Sequence, residues 1–298
     1  MCVMKEAAVG VRELRQNLSV YLRRVEAGEA PSRSSYGPLA GEAAAASIQA
    51  YRMLVDYALE AASAWPEESA AMGLPDAVGG VGTASCRDAD GSAKPPAVVF
   101  DADETLILNL GYEYWDARNP GGYDPDVWSA WERDGAAHVA PVPGAVTALR
   151  RLREAGITPV FNTNRLAENA EGTVAALSAA GLGDAVHGET LFLKGDDATG
   201  SHKDARRATI AARYCVLALA GDNLGDFADV FNADESAVAA RRAMVARGEY
   251  AQLWGNGWFL VPNPVYGAWQ KGSLDEVFPP ETRWKPSPSD APVTMDGQ

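Results

Sequence analysis

Hydrophobic residues are distributed unevenly along this chain, and their spacing changes several times. Between residues 9 and 29, Val11, Leu14, Leu18, Tyr21, Leu22 and Val25 recur at helical intervals, with Gly28 as a stop. Residues 1 to 29 thus predict a short strand followed by an amphipathic helix. Residues 31 to 41 (PSRSSYGPLAG) have the composition of a linker. From 42 to 64 an Ala-rich stretch carries Ile48, Tyr51, Met53, Leu54, Tyr57 and Leu59, which predicts one long helix. Residues 65 to 95 hold Pro66, Pro75, Gly79, Gly80, Gly82, Gly91 and Pro95 and predict a loop, disordered in part.

The texture changes at Ala97. The run AVVF is apolar and β-branched and ends abruptly in DADET, as a strand buried on both faces would. An aromatic stretch from 111 to 134 follows, with Tyr112, Tyr114, Trp115, Tyr123, Trp128 and Trp131. Then helices alternate with apolar strands. VPGAVTALRRLREAG leads to ITPVFNTN, a helix from about Asn169 to Ala180 leads to TLFL, and KDARRATIAARY leads to VLALAGDN. This alternation predicts an α/β fold, an open and doubly wound parallel sheet. The expected divisions are 1–30, a strand-helix fragment; 31–95, helix and Gly/Pro-rich linker; 96–278, the α/β core with a small aromatic-rich cap insertion; and 279–298, an extended Pro-rich tail.

In such a sheet, ligands gather at the carboxyl ends of the strands, and polar clusters stand at those positions. They are Asp101-Ala102-Asp103-Glu104-Thr105, Asn162-Thr163-Asn164-Arg165 and Gly221-Asp222-Asn223-Leu224-Gly225-Asp226, with Lys203 opening the helix before the last of these strands. Carboxylates crowded into one pocket repel one another and resist desolvation. A divalent cation removes both difficulties, and hard oxygen donors select magnesium. Asp101 and Asp103, two residues apart just past a strand, can reach the same mouth, one to attack phosphorus and one to handle the leaving-group proton. Thr163 can hold phosphate oxygens, and a lysine beside the attacking carboxylate offsets its charge. Taken singly, each cluster also has a plain structural reading: a turn at DADET, a helix cap at Thr163 or at GDNLGD, a solvated lysine at 203. Their ordered succession at three predicted strand ends favours the chemical one.

Together these segments resemble the four motifs of the haloacid dehalogenase superfamily. Residues from about 95 to 275 are similar to its class C acid phosphatases, whose best-known branch is an outer-membrane lipoprotein acting as a 5'-nucleotidase. The features that carry this are AVVFDADET followed by Asn109, Trp128 with Trp131, VPGAV, TNR, SHKDARR, GDNLGDF and Leu260-Val261-Pro262-Asn263-Pro264-Val265-Tyr266-Gly267. The resemblance implies a haloacid dehalogenase-like Rossmannoid core and a phosphoric monoester hydrolase using Mg2+. It makes Asp101 the nucleophile and a metal ligand. Asp103 becomes the general acid and base, with its backbone carbonyl on the metal. Asp222 and Asp226 complete the metal site, and Thr163 and Lys203 hold the phosphate. Asn164 and Arg165 are further substrate-binding candidates. Trp128 and Tyr266 are candidates to stack on a flat group such as a nucleobase, although Trp128 and Trp131, three apart, would equally share the buried face of a helix.

Charge and cysteine usage refine this picture. The net charge of -14 disfavours nucleic acid as a partner of the core, so the expected partner is a small phosphate monoester; a homo-oligomer is left open. Cys2, Cys86 and Cys215 show no ligand spacing, which argues against a zinc site and a disulfide scaffold. The sequence has no apolar run long enough for a transmembrane helix. The resembled branch is normally exported, to the periplasm or outer membrane. Here the first 30 residues are charged throughout and lack a signal-peptide core, so the chain as written is expected to be cytoplasmic unless its start is mis-assigned. The segment VGVRELRQNLSVYLRRVEAGE resembles a fragment of prevent-host-death type antitoxins. Residues 1–35 carry six Lys and Arg against four Glu, a net of +2 that leaves -16 for the remainder. An alternative reading is therefore an antitoxin-like regulator that binds DNA or a toxin, with a weakly active body. Dehalogenation is a weaker alternative, since it has no need of the acid-base carboxylate at Asp103.

Overall fold

The computed structural model describes residues 40–119, 121–232, 238–267, 278 and 280–284. The antitoxin-like fragment and most of the following linker lie outside these residues. Five strands form a parallel sheet: β3 (Pro96–Phe100), β6 (Thr158–Leu166), β7 (Leu191–Lys194), β8 (Cys215–Gly221) and β9 (Trp258–Leu260), in the order β7-β6-β3-β8-β9. The chain thus builds outward from β3 to β7, then returns to the other side of β3 to lay down β8 and β9. The strand order reverses between β3 and β8, the place where sheets of this kind bind ligands beyond their carboxyl ends.

Alternation along β3 divides the core. Val98 and Phe100 join one apolar cluster, Ala97 and Val99 the other, as a period of two requires. The first cluster is covered by α1 (Gly41–Ser63), α4 (Ala145–Glu154) and α5 (Ala170–Ala179). Helix α1 is the predicted long helix. It buries Ser47, Tyr51, Leu54, Val55 and Ala58, a stripe at three- and four-residue intervals that faces α4, β8 and β9. The second cluster is covered by α6 (Asp204–Arg213) and an aromatic group, Phe227, Phe231, Tyr250 and Trp258.

The segment expected to be a partly disordered loop is ordered. It forms a small antiparallel pair, β1 (Met72–Gly73) with β2 (Val81–Gly82), and seats Met72 in the second cluster. It is tied down by a disulfide between Cys86 and Cys215, at the first residue of β8. This bond goes against the sequence reading, which argued against a disulfide scaffold. The two lie 129 residues apart in sequence, and motif spacing does not register a pairing made by the fold.

The cap interrupts the core between β3 and α4. It consists of a second antiparallel pair, β4 (Ile107–Leu108) with β5 (Ala140–Pro141), and two helices, α2 (Leu110–Arg118) and α3 (Pro125–Asp134). Asp124 caps α3 by accepting from the amides of Asp126 and Val127, with Pro125 at the first helical position. Beyond the core lie α7 (Val238–Val245) and α8 (Gly248–Ala251). The tail expected to be extended holds a short 3-10 turn at Pro280–Thr282 among its described residues. No helix among the described residues is long and apolar enough to cross a membrane.

Candidate active site at the carboxyl edge of the sheet

Strands β3 and β8 are neighbours in register, with Phe100 opposite Ala220. The residues just past them, Asp101 and Asp222, therefore emerge side by side. Beyond β8 the chain folds back at once. A Cβ at Gly221 would stand 2.3 Å from the Cβ of Asp226, so only glycine permits this approach. The turn closes as a capping box: Asn223 N donates to Asp226 Oδ2 (2.8 Å) and Gly225 N to Asn223 Oδ1 (3.0 Å). The capping reading of GDNLGD is thus correct, but it uses only one side of Asp226. Ligand oxygens of Asp101, Asp222 and Asp226 all lie within 4.8 Å of one another.

Lys203 enters from the start of α6. Its ammonium donates to Asp101 Oδ1 (2.6 Å) and Asp226 Oδ1 (2.8 Å), and the residue is 4% exposed. Asp229 fixes this helix end by accepting from the amides of Lys203 (2.7 Å) and Asp204 (2.9 Å). Arg207, wholly buried, donates to the carbonyls of Gly225 and Asp226 and holds the β8 turn against α6.

The electrostatics reflect three acids in a desolvated place. Burial pushes the Asp101 carboxyl up to about 7; Lys203 opposes the shift, and Asp226 and Asp103 add to it. Burial, with Asp226 and Asp101, also holds Asp222 well above the usual carboxylate range. Burial alone would lower the pKa of Lys203, but its contacts with Asp101 and Asp226 outweigh this and raise it. One ammonium does not balance three carboxylates. Three crowded, mutually repelling, hard oxygen donors suit a divalent cation.

Asp103 does not join that cluster through its side chain. Arg165 Nε and Nη2 donate to Asp103 Oδ1 at 2.9 and 2.8 Å, and Nε lies 3.1 Å from Oδ2. Asn109 Nδ2 adds a bond to Oδ1 (2.9 Å). The carboxylates whose oxygens converge are those of Asp101, Asp222 and Asp226, without that of Asp103. Between Asp103 and Thr105, Glu104 takes a left-handed conformation (φ 56°) and is 1% exposed. Its carboxylate accepts from Asn109 N (3.0 Å) and contacts the Tyr266 hydroxyl. Burial, then Asp103, raises Glu104 to about 8.

The other predicted residues are distributed as follows. Thr163 is fully buried inside β6, which runs on to Leu166 and so contains the Asn162–Arg165 cluster that was expected just past the strand; its hydroxyl accepts from Arg165 N at 3.3 Å. Asn164 is exposed, with its amide engaged by Ser201 O and Arg206. Arg165 is 1% exposed and bridges Asp103 and Asn109. Trp128 packs edge-on against Tyr112 (4.7 Å), donates to Glu132 Oε1 (2.7 Å) and carries the Arg165 guanidinium 6.0 Å from its ring. Trp131, on the same face, donates to Asn109 Oδ1 (2.8 Å).

Several contributors went unassigned from sequence. The Thr105 hydroxyl donates to Asp222 Oδ1 (3.1 Å). Asn263 Nδ2 donates to Asp222 Oδ2 (2.8 Å). Arg206 holds the Thr163 carbonyl. All three stand inside motifs quoted above, where the signal was present but the partner was not.

The comparisons agree with this geometry. Residues 77–269 match the family described as HAD superfamily, subfamily IIIB (Acid phosphatase). Two solved structures of the class C acid phosphatase from Bacillus anthracis, one with tungstate bound, share the fold. The tungstate form is 24% identical, with a TM-score of 0.59 over 84% of this chain and 87% of that one. The other has the same identity and TM-score over 86% of each chain. With the family matched across most of its length and the acidic cluster standing where the strand order reverses, this chain belongs to the acid phosphatases of HAD subfamily IIIB and is a phosphoric monoester hydrolase.

Proposed function

We propose that the chain is a Mg2+-dependent acid phosphatase that hydrolyses nucleoside 5'-monophosphates and related monoesters through an aspartyl-phosphate. The observation that carries this reading is the convergence of Asp101, Asp222 and Asp226 with Lys203 between two of them. Asp101, Asp222 and Asp226 would hold the cation, with the backbone carbonyl of Asp103. When bound, Mg2+ supplies charge neutralisation for the transferring phosphoryl group.

The chain's own groups do the rest. Lys203 orients Asp101 and offsets its charge. An Asp101 oxygen bonds to phosphorus while the P–O bond to the alcohol breaks, and the leaving oxygen takes a proton from Asp103. Asp103 then takes a proton from water, whose oxygen bonds to phosphorus as the Asp101–phosphorus bond breaks. Phosphate leaves and Asp101 is restored. Arg165 and Asn109 donate to Asp103 and fix its direction. Thr163, deep in β6, would contribute to the phosphate pocket. Arg165, Trp128 and Tyr266 would contact the substrate beyond its phosphate, and the two aromatic rings are the candidate base-stacking surfaces.

The test is hydrolysis of p-nitrophenyl phosphate and a panel of 5'-nucleotides, with EDTA and after Mg2+ is restored. Activity should vanish with EDTA, return with Mg2+, and be absent in folded Asp101→Asn. Near-normal turnover by that variant would overturn the assignment of the nucleophile; indifference to EDTA would overturn the cation.

A further inference from the structure

Helix α1 precedes the residues matched by the acid phosphatase family, and no role has so far fallen on it. One of its side chains nonetheless reaches the floor of the site. Tyr51 is 2% exposed, and its hydroxyl donates to the carbonyl of Thr105, 54 residues away in sequence. Its ring is set against Gly144, where a Cβ would come within 3.2 Å of it. Thr105 is fully buried. Its hydroxyl donates to Asp222 Oδ1 (3.1 Å) and lies 3.5 Å from Asp101 Oδ2.

The turn that carries Thr105 needs an external hold. Its own backbone bonds run from Leu106 and Ile107 to Ala102 and from Glu104 to Ile107, and leave the Thr105 carbonyl to Tyr51. A buried carbonyl requires a donor. A hydroxyl at the tip of a packed ring supplies one and also sets where the turn sits. We infer that Tyr51 is a positioning residue: through Thr105 it aligns Asp222 and Asp101 for the cation. This inference rests on the reading of the acidic cluster as a divalent-cation site.

The test is calorimetric titration of MgCl2 into the metal-free full-length chain, with p-nitrophenyl phosphate kinetics alongside. Tyr51→Phe keeps the ring and removes the donor. It should weaken Mg2+ binding roughly three- to ten-fold, the worth of one buried hydrogen bond. The KM at saturating Mg2+ should stay unchanged. Tyr57→Phe is the control: its half-buried ring, on the same helix, packs against Phe259, and its Mg2+ affinity should match wild type. In a Thr105→Val background, which lacks the relaying hydroxyl, Tyr51→Phe should have little further effect on Mg2+ affinity. Wild-type affinity in Tyr51→Phe, an equal loss in Tyr57→Phe, or full additivity with Thr105→Val each overturns the inference alone. Failure of the wild-type chain to take up Mg2+ overturns the cation site and the inference with it.

Discussion

Arg165 grips both carboxylate oxygens of Asp103, with contacts of 2.8 to 3.1 Å, while itself 1% exposed. A planar fork of this kind fixes direction as well as charge. Arg165→Lys keeps the charge and loses the fork. It should lower kcat by about 10²-fold, the scale of a misaligned acid-base group. Steady-state kinetics on p-nitrophenyl phosphate would check this, and an unchanged kcat would show that the clasp does not orient Asp103.

Stability of the metal-free protein should depend on pH in an unusual direction. Asp101 is raised from 3.8 to about 7 and Glu104 from 4.5 to about 8, burial being the first cause of each. The folded state therefore holds these protons more tightly than the unfolded chain. Their contribution is complete below the unfolded values and is lost as pH rises through the folded ones. Melting temperature in EDTA should fall between about pH 5 and pH 8, with a cost on the order of a few kcal/mol. Glu104→Gln should flatten the upper part of that fall, and added Mg2+ should suppress the part due to Asp101. A flat profile in EDTA would contradict the burial argument.

The Cys86–Cys215 bond closes a long loop at the end of β8 remote from Asp222. Reduction, or replacement of both cysteines by Ala, should destabilise the chain by about 2–4 kcal/mol. Because the bond lies at the opposite end of the strand from the acidic cluster, KM should not change. Denaturant unfolding paired with kinetics separates the two effects.

Removal of the antitoxin-like fragment tests the alternative reading. A chain beginning at Ser35 retains all of α1, which starts at Gly41, and should keep full phosphatase activity. Full-length protein should show no retardation of DNA in a gel-shift assay. A chain beginning at Ala64 loses Tyr51, Leu54, Val55 and Ala58 from the first core cluster and should fail to fold. Phosphatase activity lost on cutting at Ser35, together with DNA retention by the full chain, would favour the regulator.

Much of this molecule was legible in its sequence, because the strands are buried on both faces and end in chemistry. AVVF, ITPVF and VLALA have no polar alternation, which marks a central parallel sheet, and the polar residues after each mark its carboxyl edge. What escaped were relationships made only in three dimensions. Tyr51 reads as one more apolar position on a helical face, and its hydroxyl has no visible partner until α1 is laid against the turn at Thr105. The Cys86–Cys215 pairing is hidden by 129 residues of separation. Asp103 and Arg165 stand in different motifs, and nothing in either indicates that they clasp.

The contact between the cap and the core has a bearing on how the site is held. At Gly172 in α5 a Cβ would fall 2.2 Å from the carbonyl oxygen of Glu132 in α3, so the two backbones touch. Glu132 is itself wholly buried and accepts from the Leu166 amide and the Asn169 side chain. The helix that carries Trp128 is thereby packed backbone to backbone against the scaffold beneath it. This helix and the strand that carries Arg165 thus share one anchor, because Glu132 of α3 accepts from the Leu166 amide directly after it.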